Sequence, residues 1–203
     1  MTWDEELPFR GKYALLCGID EAGRGPLCGP VVAGAVILPD GFDVSPLNDS
    51  KKLSEAKREA LYEVIVSSCI WGAGIATPEE IDAYNILNAT FLAMTRAVDA
   101  LSRRPEYALV DGNKIPKGLT VPASCVVKGD ARCPSISAAS VIAKVTRDRI
   151  MKDLALQYPQ YELEKHKGYP TKEHYRRILE HGIAPIYRRS FLKTLENHRE
   201  DDQ

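Results

Sequence analysis

The chain predicts an α/β sheet core followed by a helical C-terminal part, and three observations carry the prediction. Five short apolar runs are bounded by Gly and Pro, helical stretches with readable starts lie between them, and everything after Pro134 reads as helix. The strand runs are "YALLCGID" (Tyr13 to Asp20), "VVAGAVIL" (Val31 to Leu38), "IWGAGIAT" (Ile70 to Thr77), "YALVDG" (Tyr107 to Gly112) and "ASCVVKGD" (Ala123 to Asp130). Each is short and apolar, as a buried strand is, and five strands make an ordinary sheet.

The helices follow from their first residues. Ser54 is placed to cap "EAKREALYEVIVSS", in which Leu61, Val64 and Ile65 form one apolar face. Thr77-Pro78-Glu79-Glu80 is a capping box with proline at the first helical position, opening a stretch that runs to about Leu101 with a break near Asn85. Pro134 starts a long helix, "PSISAASVIAKVTRDRIMKDLALQ", whose small early residues suit close packing on a sheet. Thr171 caps "KEHYRRILEH", Gly182 stops it, and "ENHREDDQ" is expected to be a solvated tail.

With 203 residues, 44% apolar and 27% charged, the chain is expected to be one globular domain over 1–203, residues from about 157 to 203 forming a helical C-terminal extension. Its start, "MTWDEELPFRGK", lacks the basic and apolar regions of a secretory signal, and its apolar runs fall far short of the roughly 20 residues that cross a bilayer. Cys17, Cys28, Cys69, Cys125 and Cys133 form neither a C-x-x-C pair nor a zinc spacing, so they read as reduced thiols, and a cytoplasmic protein without membrane contact is expected. A net charge of -1 gives no global basic field, so any nucleic-acid binding must rest on a local patch.

Chemistry concentrates in "GIDEAGRGPLCGP", Gly18 to Pro30. A phosphate loop fails there, because Arg24-Gly25 stands where Lys and Ser/Thr are needed, and Asp20 and Glu21 would point negative charge at phosphate. The dinucleotide fingerprint fails on glycine spacing. A strand-terminal turn explains each acidic residue singly, Asp111 after "YALV" and Asp130 after "VVKG" included, but not why several strands end alike. In an open α/β sheet such ends converge on one edge. Clustered carboxylates repel unless a cation neutralises them, and an all-oxygen set suits Mg²⁺ or Mn²⁺. Two such ions can hold a phosphodiester, which predicts phosphoryl-transfer hydrolysis.

These stretches, with "DSKKLS" (Asp49 to Ser54), "LVDGN", "VKGDA", "SISAASVIAKVTRD" (Ser135 to Asp148) and "HKGYPT" (His166 to Thr171), resemble the ribonuclease HII family in order and across most of the chain. In the sister family, ribonuclease HIII, a different residue replaces Arg24 and an extra N-terminal domain precedes the first motif. The resemblance implies a ribonuclease H-like fold, a central mixed five-stranded sheet flanked by helices with a helical C-terminal region. It implies cleavage of RNA in RNA/DNA hybrids and of single ribonucleotides in duplex DNA, giving 3′-hydroxyl and 5′-phosphate ends, in ribonucleotide removal during repair. Those two duplexes are the expected partners, and the protein is expected to act as a monomer.

By the same resemblance Asp20, Glu21, Asp111 and Asp130 are the catalytic metal-binding carboxylates, for Mg²⁺ or Mn²⁺, two ions with substrate bound, and Asp148 is an outer carboxylate. Gly23, Arg24 and Gly25 test for the 2′-hydroxyl through a backbone that glycine lets approach closely. Tyr169 packs on the sugar beside the ribonucleotide. Lys51, with Lys52, and Ser137, Ser140 and Lys144, with Arg147, are expected phosphate contacts. The basic run Lys165, Lys167, Lys172, Arg176, Arg177, Arg188, Arg189 and Lys193 adds to the grip, part of it being an ordinary solvated face. Pro170, Ala184 and Tyr187 depart from the family pattern, where a small residue, Ser and His are expected. Another nuclease of the same fold, such as a resolvase or integrase, and a non-catalytic nucleic-acid-binding module are the alternatives. The motifs around Arg24 and Tyr169 speak against the first and the clustered carboxylates against the second.

Overall fold

The computed structural model describes residues 1–47, 53–193 and 195. Five strands form one sheet: β1 (Leu16–Ala22), β2 (Val31–Ile37), β3 (Ile70–Ala76), β4 (Tyr107–Asp111) and β5 (Ala123–Val126), in the order β3-β2-β1-β4-β5. The β1-β2 and β2-β3 pairs are antiparallel, and the β1-β4 and β4-β5 pairs are parallel, so the sheet is mixed as expected. The helices are α1 (Leu7–Arg10), α2 (Glu55–Ser68), α3 (Pro78–Asp99), α4 (Pro134–Gln157), α5 (Leu163–His166) and α6 (Lys172–His181).

The caps read from sequence are formed. Ser54 accepts the Lys57 N–H, Thr77 and Glu80 exchange the two bonds of the capping box, and Thr171 accepts the His174 N–H. The break in α3 falls at Asn85, whose φ of 65° interrupts the helix while its side chain caps the restart through Leu87 and Asn88 N–H. The long helix α4 has no capping side chain of its own. Glu6, fully buried far away in sequence, accepts from the Ser135 N–H at 2.6 Å and the Ser135 hydroxyl at 2.7 Å instead.

One face of the sheet buries Cys17, Ile19, Ala33 and Ala35 against Ala89, Ala93, Met94 and Ala97 of α3. The other carries α4, with α2 beside it, over Val36, Leu61, Ile65, Ala138 and Ile142. Close approach of α4 depends on Gly18, where a Cβ would lie 2.1 Å from the Ser135 carbonyl carbon. A third apolar cluster joins Leu27 and Cys28 to Met151, Tyr161, Ile178, Ile186 and Tyr187, so the C-terminal part packs on α4 and on the loop after β1.

Several details differ from the sequence reading. Val64 is half exposed, because the buried stripe of α2 runs through Leu61 and Ile65 and Val64 sits about 100° away from it. Strand β5 stops at Val126, since Lys128 takes a left-handed conformation and Gly129–Ala131 forms a 3-10 turn, so Asp130 lies on that turn and not at a strand end. The C-terminal part also contains a β-bridge, Cys28 to Tyr187, beside its helices. Among the described residues no helix is long and apolar enough to cross a membrane, and all five thiols are free.

Candidate active site

Strand register brings the acidic residues together. Ile19 pairs with Val110 on parallel neighbours, so the next residues, Asp20 and Asp111, leave adjacent strands on one face, the face that carries α4. Glu21 starts from the opposite face, and at the edge of the sheet it and Asp111 line one cleft with Asn113 and the α3 residues Leu87, Thr90, Phe91 and Met94. Asp111 is oriented by the Gly129 N–H, which donates to its Oδ1 at 2.7 Å, and Asp130, the residue after Gly129 on that turn, is buried.

Asp20 is the electrostatic centre of the group. It is 5% exposed, and burial, then the charges of Glu21 and Asp111, raise it well above the usual carboxylate range, while the Ser140 hydroxyl on α4 donates to it and opposes the shift. Glu21 has its own counter-charge, Arg24 at 3.2 Å. An all-carboxylate set with an excess of buried negative charge fits a hard divalent cation in its donor chemistry. The set is not a ready-made cage: among the described residues no three His, Cys, Asp or Glu side chains are arranged to hold a metal ion.

The loop after β1 is built differently. At Gly23 φ is 92°, and a Cβ there would lie 2.1 Å from Nε of Arg147, so only glycine fits. Arg24 and Gly25 are exposed, whereas Gly23 and residues 26–30 are buried. The ring of Tyr169 lies over Gly25, its Cε1 3.7 Å from where a Cβ would stand. Tyr169 is held through its backbone: its carbonyl accepts from Nδ1–H of buried His174, whose Nε2 accepts from the Tyr187 hydroxyl at 2.9 Å. Burial, with His166 stacked 4.0 Å away, lowers His174 to about 4, so its ring is neutral near neutral pH. Tyr187, unexpected from the family pattern, therefore closes this chain of hydrogen bonds.

Some expected phosphate contacts are interior groups. Ser137 and Ser140 are buried, and Ser140 serves Asp20, because α4 packs too closely on β1 to leave that turn in solvent. Arg147 is 1% exposed and, among the described residues, its side chain donates to backbone carbonyls alone, those of Pro30, Cys28 and Lys167. Arg188, from the basic run, is fully buried and takes the carbonyls of Gly23, Arg24 and Gly29. Helical spacing carries a signal for the first: Ile136, Ser140, Ala143, Arg147 and Met151 fall on one buried stripe. Asp148, expected as an outer carboxylate, is buried among Lys144, Lys167 and Arg58 and pairs with them. Lys144 stays partly exposed there, while Lys51 and Lys52 lie outside the described residues. Arg176 and Arg177 are engaged by Glu173, Glu180 and Glu162, leaving them less available for backbone contact.

A mixed sheet in this order, with helices on both faces and acidic residues where its parallel central strands end, defines a ribonuclease H-like protein. The crystal structure of ribonuclease H2 from Pyrococcus horikoshii OT3 matches it with a TM-score of 0.75 at 30% identity, over 92% of this chain and 97% of that one. The family model for Ribonuclease HII matches residues 17–194. A ribonuclease HII of Marinomonas sp. (strain MWYL1) is 60% identical over 87% of this chain and 89% of its own length. Another, of Paracoccus denitrificans (strain Pd 1222), is 52% identical over 94% and 93%. The chain belongs to the ribonuclease HII family. It is a ribonuclease H, a hydrolase that acts as an endonuclease on RNA/DNA hybrids.

Proposed function

We propose that the protein cuts on the 5′ side of a ribonucleotide in duplex nucleic acid, single ribonucleotides embedded in DNA included, leaving 3′-hydroxyl and 5′-phosphate ends, and that it serves ribonucleotide removal from DNA. The observation that carries this is adjacency: the acidic ends of β1 and β4 lie beside a glycine loop covered by an exposed tyrosine. Asp20, Glu21 and Asp111 would hold Mg²⁺ or Mn²⁺, two ions with substrate bound, and Asp130 completes the set. When bound, the ions supply charge neutralisation at the scissile phosphate, a more acidic attacking water and stabilisation of the leaving oxygen.

The chain's own residues do the rest. Ser140 and the Gly129 N–H orient Asp20 and Asp111. The backbone of Gly23, Arg24 and Gly25 reads the 2′-hydroxyl, the group that separates RNA from DNA. Tyr169 covers the neighbouring sugar, and its exposed ring over Gly25 supports that role. Lys144 and Lys51 grip backbone phosphates, while the single domain works as a monomer in the cytoplasm, a compartment that suits five free thiols.

The experiment is a DNA duplex carrying one ribonucleotide, incubated with Mg²⁺ or Mn²⁺. A single nick 5′ of the ribonucleotide is expected. No nick, or equal nicking of the all-DNA duplex, overturns the reading.

A further inference from the structure

Arg188 is fully buried and, among the described residues, pairs with no carboxylate, which makes its burial costly. Among the described residues its side-chain hydrogen bonds all end on backbone carbonyls, Gly23 at 2.6 Å, Arg24 at 3.0 Å and Gly29 at 2.9 Å. Its own backbone is clipped to the same loop, with Arg188 N–H donating to Leu27 and Gly29 N–H donating to Ile186, both at 2.9 Å. Asp82 of α3 fixes the following turn by accepting the Arg189 and Ser190 N–H groups. A buried cation is retained against its desolvation cost only where its hydrogen bonds are met, and here they are met by the loop.

The geometry of the peptide turns this into a functional statement. The Gly23 carbonyl shares a planar unit with the Arg24 N–H, and the Arg24 carbonyl shares one with the Gly25 N–H. No peptide bond among the described residues is cis, so in each unit the N–H points opposite to the C=O. With both carbonyls drawn inward to Arg188, both N–H groups face outward, at exposed residues, beneath the ring of Tyr169. Neither N–H donates to any group among the described residues. Two adjacent outward donors form a seat for a hydroxyl or phosphate oxygen.

We propose that Arg188 is a positioning residue for ribonucleotide discrimination: by holding the Gly23 and Arg24 carbonyls it presents the Arg24 and Gly25 N–H groups to the ribose 2′-hydroxyl. The proposal rests on the reading of Gly23 to Gly25 as the ribose-sensing loop. Arg147 supports the same loop from its other end through Cys28 and Pro30, while Arg188 takes the Gly23 and Arg24 carbonyls, the two whose peptide planes turn their N–H groups outward.

The test is a binding comparison without divalent ions, so that nothing is cut: a fluorescent DNA duplex with one ribonucleotide against the same duplex in DNA, read by anisotropy. The native protein binds the ribonucleotide duplex more tightly. Arg188→Gln loses that preference by about tenfold, the worth of one or two hydrogen bonds, and Arg188→Lys, which reaches one carbonyl at most, loses much of it too. All-DNA affinity stays within about twofold in both, which a merely structural loss would not preserve. Folded variants that keep the native preference overturn the role of Arg188 alone. No preference in the native protein overturns the loop reading itself. If neither variant folds, amide NMR of the native protein decides: Arg24 and Gly25 resonances must move further with the ribonucleotide duplex than with all-DNA, and equal shifts overturn the proposal.

Discussion

At the sheet edge, Asp20, Glu21 and Asp111 are fixed by strand register and left to repel one another, whereas one step along the chain Gly23 to Pro30 are fixed by two buried guanidinium groups. In the first region burial and mutual repulsion raise Asp20 well above the usual carboxylate range. The second is satisfied, with its strain removed in advance by hydrogen bonds from Arg147 and Arg188. The contrast sets out a division of labour for the proposed function: the carboxylates assigned to phosphate chemistry are held close enough to raise one another's proton affinity, and the loop assigned to the ribose is held rigid.

If that division holds, damage to one region should spare the other. The largest effect falls on cutting. Asp111→Asn keeps the acceptor for the Gly129 N–H but removes a charge the ions need, and cleavage is expected to fall by about a thousandfold or more in a single-turnover assay. A smaller effect falls on selection. Tyr169→Ala removes the ring over Gly25 and is expected to slow the single-ribonucleotide duplex by about tenfold, the scale of one stacking contact, with a lesser effect on a long hybrid. Equal rates on both substrates would remove Tyr169 from selection.

The smallest expected effect is on stability, and it has a definite sign. Asp20 is raised above its unfolded value, by burial first and by Glu21 and Asp111 next, so the folded protein holds its proton more tightly than the unfolded chain does. Stability from this group is present below the unfolded value of about 3.9 and is lost as pH rises toward the raised folded value. Without metal, Asp20→Asn should therefore melt close to the native protein at about pH 4 and above it as pH increases. Added Mg²⁺ should narrow the gap by stabilising only the native form. A gap that does not grow with pH would contradict the strained state of the acidic edge.

The two regions also differ in how far the sequence reveals them. Caps and the break at Asn85 are local events, written in Ser54, Thr77 and Thr171, and they are where the sequence places them; the five apolar runs become the five strands, with the ends of β1 and β5 shifted. Asp111 is readable because it ends β4, whereas Asp20 and Glu21, expected where the first strand stops, stand inside β1, which continues to Ala22. Asp130 is misplaced in its element, since β5 is a four-residue edge strand that gives way to a turn at Lys128. Arg147 carries a local signal only in the helical spacing of its buried stripe, and Arg188, outside any helix, has none, so both read as surface charges. Most of their acceptors lie more than 100 residues away and are backbone carbonyls, which carry no residue identity to recognise. Glu6 capping α4 is hidden for the same reason, its partner lying 129 positions along the chain.

The separation of cutting from selecting is tested most directly by the binding preference of Asp111→Asn. The ratio of affinities for a duplex with one ribonucleotide and for the same duplex in DNA, measured without divalent ions, is expected to match the native protein within about twofold while cleavage is lost. A variant that binds both duplexes equally would show that the carboxylate edge takes part in recognising the ribose, and the division drawn here would fail.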